Sequence, residues 1–325
     1  MDASIIDRMG RLGYGAANLG NLHRPLSDDE AVEILEAAWD SGIRYYDTAP
    51  HYGLGLSERR LGAFLRTKPR SAYVISTKVG RLIRPNPDDR GGLDTDNGFH
   101  VPSTHRRVWN PSAKGVEASL AESRERLGLD EIDIAFVHDP EVYGLDRALA
   151  EAFPALEAAR TAGDVTAIGI GSMSNTALER AVREVDLDII MVAGRYTLLD
   201  GEAATGVLPA CEDRGTGVVA ASVFNSGLLA ADEPTRRGRY EYGTLPDELW
   251  ARLQAILSVC RNHGVRLPAA AVQFPLRARP VDNVVVGGSR PDQLRQNAEL
   301  MSESIPEGFW AEMESLLWAR EGGAR

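Results

Sequence analysis

The sequence predicts an α/β protein, one closed barrel of eight parallel strands alternating with helices, with long loops at the carboxyl ends of the strands. Eight short apolar runs alternate with amphipathic stretches from about residue 11 to about residue 300, which is the pattern of repeated strand-helix units. Eight units fit a (β/α)8 or TIM barrel better than two open sheets, a doubly wound sheet being the next reading. A length of 325 residues suits one such barrel, so residues 1–325 are read as a single domain.

The strand-like runs are, in order, RLGYGA, IRYYDTA, AYVISTKVG, IDIAFVHDP, VTAIGIGS, DIIMVAG, GVVAASVF and NVVVGGS. Helix-like segments lie between them. SDDEAVEILEAAWDSG carries its own punctuation: Ser27 with Glu30 three residues on forms a capping-box signature, and Gly42 marks a stop. SERRLGAFLR, SAKGVEASLAESRERLGLD, DRALAEAFPALEAARTAGD, SNTALERAVREV and DELWARLQAILSVCRNHGV read the same way. Two segments break the rhythm, Pro85 to Asn110 and residues 231–246. Both are rich in turn formers and poor in apolar periodicity, so both are read as loops, either over the site or as plain surface insertions. Both follow strand-like runs, which in a barrel puts them on the face where barrel active sites sit.

Composition narrows the function. With 43% hydrophobic and 26% charged residues, the chain can bury a large core. A net charge of −11 without any Lys/Arg block argues against nucleic acid or an anionic membrane as partner and for a small molecule. The two cysteines, Cys211 and Cys260, are far apart and form no CxxC; this fits a reducing compartment, the cytoplasm by default, and excludes a thiolate zinc site. No leader-like apolar run opens the sequence, no stretch approaches the ~18 apolar residues of a membrane span, and neither HExxH nor GxSxG occurs. No metal and no serine nucleophile are therefore expected.

Three ionisable residues close three successive strands: Asp47 ends IRYYD, Lys78 ends YVISTK and His138 ends IDIAFVH. Singly, each reads as a solvated or satisfied strand end. Together, and with Tyr52 five residues past Asp47, they read as a site. A phenol with its ordinary pKa of about 10 is a poor proton carrier near neutrality, and an adjacent ammonium lowers that pKa. Lys78 is the candidate ammonium, Asp47 the carboxylate that makes its burial tolerable, and His138 an imidazole able to orient a substrate oxygen. Tyr52 is left as general acid or base.

YYDTAPHYG, STKVG, VHDP, GIGSMSN and VVVGGSRPDQLRQN, in that order from about residue 8 to 300, resemble the aldo-keto reductases. The resemblance implies an eight-stranded barrel that binds an extended nicotinamide dinucleotide, with Asp47, Tyr52, Lys78 and His138 as its catalytic tetrad. It implies that Ser174 and Asn175 hold the nicotinamide carboxamide and that Tyr196 stacks on the nicotinamide ring. The family often has Gln three residues before that tyrosine; this chain has Ala193. ASVFNSGLL resembles the segment that wraps the pyrophosphate, with Ser222, Phe224, Ser226, Gly227 and Leu228 as candidates; read without the resemblance, it is a strand and its turn. GYGAANLG is not a GxGxxG fingerprint, and its Gly15 and Ala16 are candidates for a strand-end turn beside the cofactor.

In many NADP-specific relatives the equivalent of GGSRPDQ carries a Lys at its start and an Arg near its end, where this chain has Gly287, Gly288 and Gln293. Arg290, beside Ser289, remains as a partner for a 2′-phosphate, and Gln293 and Asn297 would face the adenosine. The missing charges favour NAD over NADP. His51 and Trp109 are candidates to line the substrate pocket. The likeness is greatest to the branch that oxidises the cyclic hemiacetal of an aldose, such as L-fucose, D-arabinose or L-galactose, to a lactone. Oxidation of pyridoxal, NADPH-dependent reduction of small aldehydes and ketones, and a cofactor-binding subunit with little turnover are the alternatives.

Overall fold

The computed structural model describes residues 5–241 and 243–318. Eight parallel strands close a barrel in the order β1 (Leu12–Gly15), β2 (Tyr45–Asp47), β3 (Val74–Val79), β6 (Ile132–His138), β7 (Val165–Ser172), β8 (Ile189–Ala193), β9 (Gly217–Ala221) and β12 (Val281–Val286), the last pairing back to β1. These are the eight runs read from the sequence. Four further strands lie outside the barrel: β4 (Arg81–Pro85) with β5 (His105–Trp109), and β10 (Arg239–Tyr240) with β11 (Gly243–Thr244), each an antiparallel pair.

Two-residue periodicity splits each strand between two cores. Tyr45, Val74, Ile134, Phe136, Ala167, Ile189, Met191, Val219 and Val285 fill the barrel interior together with Met9. The helix Ile5–Met9, not anticipated from sequence, packs Ile5 and Ile6 against this cluster and so plugs the amino end of the barrel. The residues between them, such as Tyr46, Ile75, Ala135, Ile168, Ile190 and Val218, face the surrounding helices in a second cluster. Both faces of the barrel strands are thus buried, which is why they read as unbroken apolar runs.

Ser27 caps the helix Asp28–Asp40 with the anticipated capping box, and Gly42 follows it at φ 83°. The stretch DRALAEAFPALEAARTAGD is less regular than its periodicity predicts: Leu145–Arg147 is α-helical, Ala148–Ala152 a π turn and Phe153–Ala162 α-helical again. Pro154, whose nitrogen cannot donate, accounts for the interruption.

Pro85 to Asn110 departs most from expectation. Residues 81–109 form a β-ribbon with a short helical turn at Thr95–Asn97 and a small apolar cluster of their own, in which Phe99 and Val101 pack with Leu54, Tyr52 and Ile83. The segment reads as loop because its strands are short, Arg-rich and covered on one side only. Among the described residues no helix is long and apolar enough to cross a membrane.

Candidate active site

The side-chain parity that buries Tyr45, Val74 and Phe136 inside the barrel also turns Asp47, Lys78 and His138 inward, at the carboxyl ends of β2, β3 and β6. Lys78 Nζ donates to Asp47 Oδ2 at 2.5 Å and to the Thr48 carbonyl at 3.0 Å, and the Ser76 hydroxyl donates to Asp47 Oδ1 at 2.7 Å. Lys78 and Asp47 are each 2% exposed, so neither charge can rely on water for its partner. Burial pulls the ammonium pKa down, but Asp47 and Tyr52 outweigh it and raise it above the usual lysine value.

Tyr52 comes from the turn after β2. Gly53 takes φ 61° and its backbone touches that of Gly20; a Cβ on Gly20 would stand 2.6 Å from the Tyr52 carbonyl carbon. Only glycine permits that approach, and it fixes the height of the tyrosine over the barrel. Lys78 Nζ lies 4.9 Å from the Tyr52 ring centroid, close enough for its charge to act on the phenol. The expected downward pull of Lys78 on the phenol is present, yet burial is the larger effect and leaves the pKa raised. The resting side chain is therefore a protonated phenol.

His138 and His51 stand around the tyrosine. Ring centroids are 5.9 Å apart for Tyr52 and His138, 5.9 Å for Tyr52 and His51, and 5.5 Å for the two imidazoles. Burial, reinforced by the positive charge of Arg81 and its neighbours, holds His138 well below the ordinary histidine value and His51 down to about 2. Both imidazoles are neutral at neutral pH, so the 3.4 Å approach of His138 Nε2 to Asp139 Oδ2 is not an ion pair. Trp109 lies at the rim, stacked on Tyr143 at 4.9 Å and 12°. Gly80, at φ 105°, makes room for it, because a Cβ there would stand 2.1 Å from the indole.

The residues expected to hold a cofactor line the same end of the barrel. Asn175 is the most telling: its amide nitrogen and oxygen are both buried and neither has a hydrogen-bond partner among the described residues. A buried amide left open at both ends suits another amide, such as a nicotinamide carboxamide. Ser174 caps the helix Asn175–Glu184, accepting from the Ala177 amide at 3.3 Å. Tyr196 packs against Phe274, centroids 5.1 Å apart. After β9 the chain coils through left-handed conformations at Ser222, Asn225, Ser226 and Gly227; the Asn225 amide donates to the Ser222 carbonyl at 2.9 Å and the Leu228 amide to the Asn225 carbonyl at 3.2 Å, Phe224 is partly buried, and Leu228 is buried in the core. Gly15 ends β1, while Ala16 is fully buried with its carbonyl taken by the Ser57 hydroxyl at 2.7 Å, a wall of the site and not a polar contact.

At the far end, Tyr14 donates to the Gly288 carbonyl at 3.1 Å, Gln293 accepts from the Ser289 amide at 2.8 Å, and Asn297 donates to the Gly287 carbonyl at 3.5 Å. Arg290, expected to await a 2′-phosphate, is instead paired with Asp292 at 3.1 Å.

Sequence reasoning missed the partners beneath these groups. Arg81 donates to Asp139 at 2.7 Å, and Arg107 makes a two-pronged pair with Asp94 at 2.9 and 2.6 Å while also donating to the His51 carbonyl at 2.6 Å. Glu58, fully buried, accepts from Thr77 at 2.8 Å and Arg126 at 2.5 Å, fastening the helix after Tyr52 to the strand that carries Lys78. Glu141 accepts from Ser172, whose hydroxyl oxygen in turn accepts the Ser174 amide. The one sequence signal was the density of Arg in β4 and β5, which is unusual for a loop in an acidic protein.

The family described as Aldo/keto reductase family matches residues 11–317. The chain is 69% identical over 303 residues to D-threo-aldose 1-dehydrogenase of a Pseudomonas species, covering 93% of this chain and 92% of that one. It is 41% identical over 319 residues to pyridoxal 4-dehydrogenase of Microbacterium luteolum, covering 94% and 93%. Among solved structures, the holo form of an aldo-keto reductase from Bacillus halodurans superposes with a TM-score of 0.74 at 23% identity, over 94% of this chain and 91% of the other.

Proposed function

This chain belongs to the aldo/keto reductase family and is an NAD(P)-dependent oxidoreductase, and from that premise we propose that it oxidises the anomeric carbon of an aldose to a lactone. The observation that carries the reading is the 69% identity to a D-threo-aldose 1-dehydrogenase across 93% of the chain. The grouping of Tyr52, Lys78, Asp47 and His138 at one mouth supports it, because this is the set such a reaction needs. Pyridoxal oxidation is the second reading, favoured by the 41% identity to a pyridoxal 4-dehydrogenase.

When bound, the nicotinamide supplies the acceptor for the hydride that leaves C1. Asn175 would hold its carboxamide and Tyr196 would lie along its ring. His138, neutral, keeps one N–H to donate to the anomeric oxygen and so aims the C1–OH at Tyr52. Tyr52 takes the hydroxyl proton as C1 becomes the lactone carbonyl; in the reverse direction it returns that proton. Lys78 favours the phenolate that must exist to accept it, and Asp47 keeps Lys78 charged and in place. The preference for NAD over NADP is supported by Gly287, Gly288 and Gln293, which bring no cation, and by the pairing of both nearby guanidiniums with carboxylates, Arg290 with Asp292 and Arg24, which also donates to the Ser289 carbonyl, with Glu30. The cytoplasm remains the compartment proposed from the cysteine content.

The test is the appearance of reduced nicotinamide absorbance with NAD or NADP and a panel of L-fucose, D-arabinose, L-galactose, D-glucose and pyridoxal. Accumulation with an aldose supports the reading. Turnover confined to pyridoxal, or to simple aldehydes with reduced cofactor, replaces it.

A further inference from the structure

His51 lies in the substrate mouth, yet no hydrogen bond from its imidazole to any other residue occurs among the described residues. Its Nδ1 is buried and unpaired, which leaves Nε2 as the nitrogen a ligand can reach. Its ring stands 5.9 Å from Tyr52 and 5.5 Å from His138, so the three rings form a near-equilateral triangle. Phe99 meets its edge at 5.4 Å, and Arg107 holds its backbone carbonyl at 2.6 Å. The imidazole is thus fixed in orientation by groups that leave its polar atoms unused.

Chemistry assigns the proton. A shielded nitrogen without a partner is less costly as a bare lone pair than as an N–H, since an orphaned donor is the rarer and worse case. The neutral ring therefore carries its proton on Nε2, as a donor facing the mouth. Arg81, Arg107 and Lys78 surround the ring and, with burial, keep it neutral. His138 is likewise buried and unpaired at Nδ1, while its Nε2 stands 3.4 Å from Asp139 Oδ2, which also places the proton on Nε2. Two neutral imidazole donors of like tautomer, side by side over one phenol, match two oxygens on adjacent carbons.

We propose that His51 binds the hydroxyl on the carbon next to the reacting one, so that the enzyme selects substrates with an oxygen at C2 beside the oxygen at C1. This rests on the aldose reading and narrows it, because a plain aldehyde has no such oxygen. Trp109 and Tyr143, at the rim, are not needed for this selection.

The test compares substrate pairs that differ only in that hydroxyl. D-Arabinose and 2-deoxy-D-ribose, which is D-arabinose without its C2 hydroxyl, are oxidised with NAD; glycolaldehyde and acetaldehyde are reduced with the reduced cofactor. The protein as it stands should prefer the hydroxylated member in kcat/KM by about 10- to 100-fold, the effect of one buried hydrogen bond. His51→Leu should collapse that ratio toward one, and His51→Gln, which keeps a donor, should restore part of it. Quenching of protein fluorescence by NAD checks that each variant is folded. A ratio untouched by His51→Leu, or no preference in the unmutated protein, overturns the proposal. If no aldose is oxidised but aldehydes are reduced, the aldose reading fails, while the glycolaldehyde to acetaldehyde ratio still decides the role of His51. Loss of both chemistries overturns the two together.

Discussion

Lys78 Nζ stands 2.5 Å from Asp47 Oδ2, and both residues are 2% exposed. The pair is stable only as a pair, since breaking a buried ion pair from one side leaves an uncompensated charge. Asp47→Asn should lower the unfolding free energy by about 3–5 kcal/mol in denaturant titration, and should cut turnover with it. A variant as stable as the parent would mean that the ammonium has another counter-charge.

The raised Tyr52 pKa predicts a direction-dependent pH profile. Oxidation needs the phenolate, which below that pKa grows about tenfold per pH unit, so kcat/KM for an aldose should climb steadily from pH 7 to 9. Reduction uses the phenol and should be flat over the same range. Lys78→Met removes a lowering influence, so the oxidative limb should move to still higher pH. An oxidative profile that levels off near neutrality contradicts this.

His51 predicts acid sensitivity with a definite sign. Its folded pKa is depressed to about 2 from 6.5, so the unfolded chain binds a proton that the folded one refuses. Stability is full above pH 6.5 and falls as pH drops below it, by up to about 1.4 kcal/mol per pH unit for this one group. Denaturant titrations at pH 7.5 and 5 should show a smaller loss for His51→Gln than for the parent. Equal losses contradict the assignment.

Arg290, the residue proposed to meet a 2′-phosphate, is paired with Asp292 at 3.1 Å. NAD should bind more tightly than NADP by fluorescence titration, and Asp292→Ala should narrow the ratio by about two- to fivefold, within the range of an exposed charge pair at low salt. Tighter NADP binding by the parent would reverse the cofactor assignment.

The barrel was legible because a strand buried on both faces is an unbroken apolar run, and eight such runs fell at barrel spacing. Asp47, Lys78 and His138 were legible for the same reason: a charge at the end of such a run has nowhere to go but the mouth. Arg81, Arg107, Asp94, Asp139 and Glu58 were not. Their pairings join residues as far as 68 apart in the chain, Glu58 to Arg126, and those of Arg81 and Arg107 depend on where the ribbon of residues 81–109 packs. Nothing local distinguishes such an arginine from a solvated one. The sign of the Tyr52 shift was also out of reach, because Lys78 is visible in the sequence whereas the burial that outweighs it is a property of the assembled mouth.

Tyr52 as the proton carrier of an aldose dehydrogenase is tested most directly by reduced-cofactor absorbance with L-fucose or D-arabinose and NAD, comparing the parent with Tyr52→Phe. The parent should accumulate reduced cofactor, and the variant should lose about 10²- to 10⁴-fold in rate while still binding NAD. A Tyr52→Phe enzyme that turns over at the parental rate would remove the tyrosine from the chemistry and the account with it.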